Sequence, residues 1–173
     1  MTTASGAIIR PATPDDHDAI WSILEPVYRA GQTYCMPRDV TRDEAIADWF
    51  ADPFTAFVAE ADGAILGTSH VGRNRAGGGA HVANASFATA PQARGRGIAR
   101  ALVEHAKDWA AGQGFRAMQF NFVVSTNEDA VYLWQKAGFD IVGRLPGAFM
   151  HPDHGPVDAL VMFQTLKGAP DEP

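Results

Sequence analysis

The feature that most constrains this chain is a junction, Thr89-Ala90-Pro91-Gln92-Ala93-Arg94-Gly95-Arg96-Gly97-Ile98-Ala99, standing between an extended segment and a helical one. Upstream, residues 81–89 read as a strand in which Val82, Asn84, Ser86 and Ala88 share one face. Downstream, Ile98, Leu102, Val103, His105, Ala106 and Trp109 carry a helical period as far as residue 111, where Gly112 and Gly114 stop it. The turn between them suits an anion. Glycines let the backbone aim N–H groups at a ligand, and a helix start adds partial positive charge. Arg94, Arg96 and Arg100 can supply guanidinium groups for outer phosphate oxygens, although three arginines alone more readily describe a solvated helix face. Two familiar phosphate motifs do not fit. No Gly-Lys-Ser/Thr ending is present, and Arg100 stands where a dinucleotide fingerprint needs its third glycine.

The rest of the chain alternates in the same way. Ile8-Ile9-Arg10 is a short strand ended by Pro11, and Thr13 with Pro14 opens a helix carrying Ile20, Ile23, Leu24 and Val27 on one stripe. A second helix starts on a capping box, Thr41-Arg42-Asp43-Glu44. Strands at 56–59 and 64–68 flank Asp62-Gly63, a hairpin turn, and Ala76-Gly77-Gly78-Gly79 reads as a flexible connection. Residues 115–124 form a nearly continuous apolar strand, as a central one does. A helix over 128–137 ends at Gly138, and strands at 139–144 and 157–166 are separated by a loop rich in Pro, Gly and His. The order β-α-α-β-β-β-α-β-α-β-β predicts one mixed α/β domain over residues 1–173, with its core about 8–166.

Composition narrows the partners. With 173 residues, an apolar fraction of 46% and a charged fraction of 20%, the chain has the makeup of a globular domain, with disorder expected only over 1–7 and 168–173. The net charge of −6 disfavours nucleic acid. No apolar run is long enough for a membrane span and no export signal is evident, so neither a membrane partner nor secretion is expected. Cys35 is the only cysteine, which suits a reducing cytoplasm.

The junction resembles motif A of the GCN5-related N-acetyltransferases, the GNAT family, in which Arg/Gln-x-x-Gly-x-Gly/Ala binds the pyrophosphate of acetyl-coenzyme A. Arg94-Gly95-Arg96-Gly97-Ile98-Ala99 fits it three residues after Pro91. The stretch from Gln92 to Gly97 fits the letters too, offset by two, but the first register puts the last glycine at the helix start. Downstream, Asn127-Glu128-Asp129-Ala130-Val131-Tyr132-Leu133-Trp134-Gln135-Lys136-Ala137-Gly138-Phe139 resembles the family's second signature. The resemblance implies a twisted, mostly antiparallel mixed sheet with helices on both faces, splayed between strands four and five to admit the coenzyme arm. It implies a coenzyme site built from Phe87, Ala88, Thr89, Arg94, Gly95, Arg96, Gly97, Ile98, Ala99, Asn127 and Trp134. Acetyl-coenzyme A as donor, no metal, a small-molecule acceptor and a homodimer follow from the same resemblance.

The pattern departs from the family where a tyrosine commonly donates the thiolate's proton. Trp134 holds that position, and indole is no acid; Tyr132 points to another side of its helix. The strand at 81–89 carries no carboxylate base, and a histidine at a strand start, as His81 is, is more often structural than a base. A narrower resemblance, carried by residues 81–87, 120–127 and Val142-Gly143-Arg144, is to the yeast L-azetidine-2-carboxylate N-acetyltransferases, which acetylate a toxic proline analogue. It implies that Asn84 and Asn121 hold the acceptor at the catalytic centre and that Asn127 meets the coenzyme. The alternative is that these asparagines satisfy buried backbone groups at an irregular sheet position.

Tyr28, Gln32, Thr33 and Tyr34 lie where the family builds its acceptor pocket, which makes Tyr34 a substrate-site candidate, or else an amphipathic helix end. Cys35 lacks a partner for covalent catalysis, and His151-Pro152-Asp153-His154 is a poor metal set that belongs near the substrate mouth or a subunit interface. The expected activity is acetylation of a small amine or cyclic imino acid. The competing readings are another small amine, such as an amino-acid-like herbicide or polyamine, and a noncatalytic acyl-coenzyme A sensor.

Overall fold

The computed structural model describes residues 6–168. Its elements are β1 (Ile8–Pro11), α1 (His17–Ala30), α2 (Arg42–Trp49), β2 (Phe54–Ala61), β3 (Ala64–Arg73), β4 (Val82–Thr89), α3 (Ile98–Gly112), β5 (Ala117–Val124), α4 (Glu128–Lys136), β6 (Asp140–His151) and β7 (Gly155–Thr165). The order is the one read from the sequence, with three short 3-10 turns added. One of them, Gly77–Gly79, gives the glycine run a regular turn. Residues 1–5 and 169–173, most of the ends expected to be disordered, lie outside the described residues. Ala7, counted with that tail, is instead fully buried in the core.

Seven strands form one sheet in the order β1-β2-β3-β4-β5-β7-β6. Every neighbouring pair is antiparallel except β4 and β5, which run parallel. That parallel pair touches only at Val82↔Ala117 and Ala83↔Met118, after which the strands diverge. The splay is therefore present, and it opens toward the end of β4 that carries the glycine junction. Hairpin β2–β3 turns at Asp62 (φ 53°) and Gly63 (φ 75°), both left-handed as this turn requires.

Faces follow from register. The even-numbered residues of β3 look toward α2, where Trp49 Nε1 donates to Thr68 Oγ1 (3.0 Å) and that hydroxyl donates to Phe57 O (2.9 Å). The odd-numbered residues look toward α3: a Cβ on Gly67 would stand 2.9 Å from Ile98 and Leu102. Across β4 the same alternation puts Ala83, Ala85 and Phe87 on the α3 face and Asn84, Ser86 and Ala88 on the α1/α2 face. Two apolar clusters result, one under α1 and α2 and one beneath β5 and β7, with Phe87 and Trp109 packed against both. The α1 stripe buries Ile20, Ile23 and Leu24 as read, and adds Tyr28.

The main correction concerns the segment between residues 145 and 156, expected to be a loop. It is the outer half of a long hairpin, because Phe149, Met150 and His151 pair with Val157, Pro156 and Gly155. Register shifts between Ile141/Gly143 and Leu145/Phe149 take up the irregular Pro146-Gly147 stretch, and Gly147 adopts φ 59°. None of the helices among the described residues is long and apolar enough to cross a membrane.

Candidate active site

Where β4 and β5 part, they enclose a cleft of about 1120 Å³ that runs to the start of α3. At that end Gly97 is the residue before α3, at φ 74° and ψ 9°. Gly95 also has φ 74°, and a Cβ on either glycine would meet no protein atom within 4 Å. The first bonded amide of α3 is that of Ala101, to Gly97 O at 3.0 Å. Among the described residues, the N–H groups of Gly95, Gly97, Ile98 and Ala99 donate to no main-chain carbonyl. These open amides, with that of Arg100, and the empty space before the helix are a fit for a pyrophosphate, and the helix start falls where the preferred register places it.

Arg94, Gly95, Gly97, Ile98 and Ala99 line this end of the cleft. Arg96 does not: its guanidinium lies 3.6 Å from Asp62, on the β2–β3 turn. Arg100, named only for its charge, does line the cleft. Arg94 reaches Asp129 at 3.9 Å with both side chains almost fully exposed, a pairing worth little. Phe87, Ala88 and Thr89 form one wall, and Asn127 and Trp134 stand on the α4 side. Trp134 packs at ring centroid distances of 5.1 Å from Phe87 and 5.2 Å from Phe120. Tyr132, by contrast, is 65% exposed and away from the cleft.

At the other end lie Asn84 and Asn121. Opposite β7, β5 has a register shift between Phe120 and Val123, and Asn121 lies within it. Asn84 Nδ2 donates to Gln119 O at 2.9 Å. That carbonyl lies just beyond the last β4–β5 pair, so the asparagine does answer a stranded backbone group. Its Oδ1, however, has no hydrogen bond among the described residues, and the residue lines the cleft. Asn121 accepts from Gln119 Nε2 (2.8 Å) and donates to Asn74 Oδ1 (2.7 Å). Gln119 and Asn74 were missed by the sequence reading: a single amide on a strand carries no signal until the register of its neighbours is known.

Tyr34 reaches the splay, yet its hydroxyl is engaged. It donates to Phe87 O (2.6 Å) and accepts from Phe87 N (3.2 Å). Burial holds its pKa above the ordinary phenol value, so the hydroxyl stays protonated. Cys35 borders the cleft with its thiol also shifted upward by burial, which goes against a thiolate nucleophile. His81 is exposed and outside the cleft. His151 and His154 stack at 4.6 Å, and Gln32 Nε2 contacts Asp153 at 3.3 Å, tying the β6–β7 hairpin tip to the segment after α1. Among the described residues no group of three His, Cys, Asp or Glu side chains is placed to hold a metal.

A parallel strand pair that opens into a cleft, with unpaired amides at its helix end, makes a site for an elongated ligand that carries phosphate at one end. Residues 17–139 match the acetyltransferase (GNAT) family, and the chain belongs to it. A GCN5-related N-acetyltransferase from Kribbella flavida has a similar structure, with a TM-score of 0.89 and 43% identity over 95% of this chain and 100% of that one. An N-acetyltransferase from Staphylococcus aureus has a TM-score of 0.83 at 26% identity, over 93% of this chain and 99% of its own. N-acetyltransferase aca1 of Schizosaccharomyces pombe is 28% identical over 80% of this chain and 76% of the relative. The chain is thus an N-acetyltransferase that takes its acetyl group from acetyl-coenzyme A.

Proposed function

We propose that the acceptor is a small cyclic imino acid or a closely similar amine, held at Asn84 and Asn121, with proline-analogue detoxification as the use. The observation that carries this reading is the Asn84 side chain. With Nδ2 committed to Gln119 O, its Oδ1 presents a fixed, open hydrogen-bond acceptor to the cleft. Such an oxygen suits the N–H of an amine, and the second N–H of Asn121 suits a carboxylate oxygen beside it. The likeness to a fission yeast acetyltransferase agrees with the yeast-type asparagine pattern.

Charge argues against a polyamine. The charged side chains lining the cleft are Arg94, Arg100 and Asp129, all at the α3 end, so no carboxylate lines the acceptor end. Membership in an acetyltransferase family counts against a noncatalytic sensor.

Under this reading the open amides of Gly95, Gly97, Ile98 and Ala99 bind the pyrophosphate, with Arg94 and Arg100 at its rim. Phe87, Ala88, Thr89, Asn127 and Trp134 flank the coenzyme arm, and Arg96 adds positive potential from outside the cleft. When bound, acetyl-coenzyme A supplies the activated acetyl thioester. Asn84 orients the acceptor nitrogen and takes no proton, so the amine proton leaves to water. Tyr34 walls the acceptor pocket with its ring and fixes the β4 main chain through its hydroxyl. Trp134 contributes packing only and offers no proton; the thiolate would take one from solvent, matching the one that the acceptor nitrogen gives up to water.

Thiol release from acetyl-coenzyme A, measured against a panel of azetidine-2-carboxylate, proline, primary amino acids and spermidine, tests the reading. Fastest release with the cyclic imino acids is expected. Preference for spermidine, or release with none of them, would overturn it. We also infer a homodimer, supported by the exposed edge strand β6, where Ile141, Val142, Leu145 and Met150 stand 39–71% exposed.

A further inference from the structure

We propose that Gln119 and Asn74, neither of which borders the cleft, are positioning residues that set the orientation of both acceptor-binding asparagines. The inference rests on the reading that Asn84 and Asn121 hold the acceptor. Four amides form one directed chain. Asn84 Nδ2 donates to Gln119 O (2.9 Å), Gln119 Nε2 donates to Asn121 Oδ1 (2.8 Å), and Asn121 Nδ2 donates to Asn74 Oδ1 (2.7 Å). Gln119 acts twice, through its main-chain carbonyl on Asn84 and through its side chain on Asn121.

The sheet explains why such a chain is needed. Beyond Ala83↔Met118 the β4–β5 ladder stops, so the facing backbone groups lose their strand partner, and Gln119 is the first β5 residue past that point. Two residues later the β5 bulge frees Asn121 from regular pairing with β7. Asn84 keeps its β3 partner Gly72 but has none on β5, and Asn121 has none on β7; an amide beside such a gap turns about its side-chain torsions unless its ends are tied. Asn74 closes the chain from the turn after β3, where its own N–H donates to Val82 O at 2.9 Å and so fixes its place. The two cleft-lining amides are left with one open acceptor, Asn84 Oδ1, and one remaining N–H on each nitrogen, a set whose fixed polarity suits an amine bearing a neighbouring carboxylate.

Three variants test this. Gln119→Met keeps length and main chain but removes the donor to Asn121. Asn74→Leu removes the acceptor from Asn121, and Asn74→Asp retains an acceptor oxygen. In 15N-labelled protein, Gln119→Met is expected to shift the Asn121 side-chain amide signals, with no acceptor present. With whichever amine the wild type acetylates best, Gln119→Met and Asn74→Leu are expected to raise the acceptor KM roughly tenfold, the scale of one lost neutral hydrogen bond. Coenzyme Kd should stay within about twofold, because the chain lies away from the phosphate end. Asn74→Asp should restore the acceptor KM toward the wild-type value. Unmoved amide signals in Gln119→Met would overturn the positioning role whatever the acceptor is. Shifted signals with an unchanged acceptor KM would show instead that the two asparagines do not hold the acceptor, and the proposal would fall with that reading.

Discussion

Asp16 shows how a single side chain ties the pH response to the fold. Its carboxylate takes two hydrogen bonds of 2.8 Å from Arg10 and one of 2.8 Å from Thr13 N. The Arg10 guanidinium, more than any other neighbour, holds the carboxyl well below the usual range. A depressed folded-state pKa stabilises the protein above the unfolded pKa, near 4, and that contribution fades as pH falls toward the folded value. Asp16→Asn is therefore expected to cost about 1.5–3 kcal/mol at pH 7, a Tm loss of roughly 5–10 °C for a chain of this size. The gap to wild type should narrow steadily below about pH 5. Thermal melts from pH 7 down to pH 2 check it, and a constant gap would contradict the linkage. At this scale the sequence exposed Asn84, Asn121 and Trp134 but not their partners. Whether an asparagine serves a ligand or a stranded carbonyl is decided by where a ladder stops, and no local pattern encodes that. Asn84 turns out to do one with its nitrogen while its oxygen stays open.

Among the elements, the strand–turn–helix at Gly97 was the most legible, since its glycines, proline and helical period are all local signals. Gly97→Val should lower coenzyme affinity more than tenfold, because a side chain there projects into the open space before α3. A left-handed φ of 74° also strains valine, by about 1–2 kcal/mol. Gly63→Val supplies the control: φ is 75° with equally open surroundings, and the residue does not line the cleft. Both variants should lose a few degrees in Tm, and only Gly97→Val should lose coenzyme binding by calorimetry. Equal affinity losses would mean that strain, not blockage, is at work. The β6–β7 hairpin was less legible. Pro146 and Gly147 are loop signals by composition, yet long-range pairing with Gly155–Thr165 carries the strand past them with a register shift, while Pro152 does sit in the turn. Propensity reads the residues it contains, not the strand waiting opposite.

For the whole molecule, the exposed β6 edge leads to a prediction about assembly. Sedimentation should give twice the 18.5 kDa chain mass. Val142→Asp, which charges a residue 60% exposed on that edge, should shift the equilibrium toward monomer with little change in Tm. A monomeric wild type would remove the dimer from the account. The element order and the α/β class were open in the sequence because each strand and helix carries its own period. The splay and the cleft inside it entered only through the family resemblance, since two strands pairing over two residues and then parting leave no mark in either strand alone. The central claim is that this cleft delivers the acceptor nitrogen to Asn84. The most direct measurement is the acceptor KM of Asn84→Ala for azetidine-2-carboxylate, with coenzyme Kd followed in parallel. The account predicts a rise of at least about tenfold, as expected for losing an orienting hydrogen bond in a desolvated site, with coenzyme Kd within about twofold of wild type. Turnover of azetidine-2-carboxylate with an unchanged KM would contradict it.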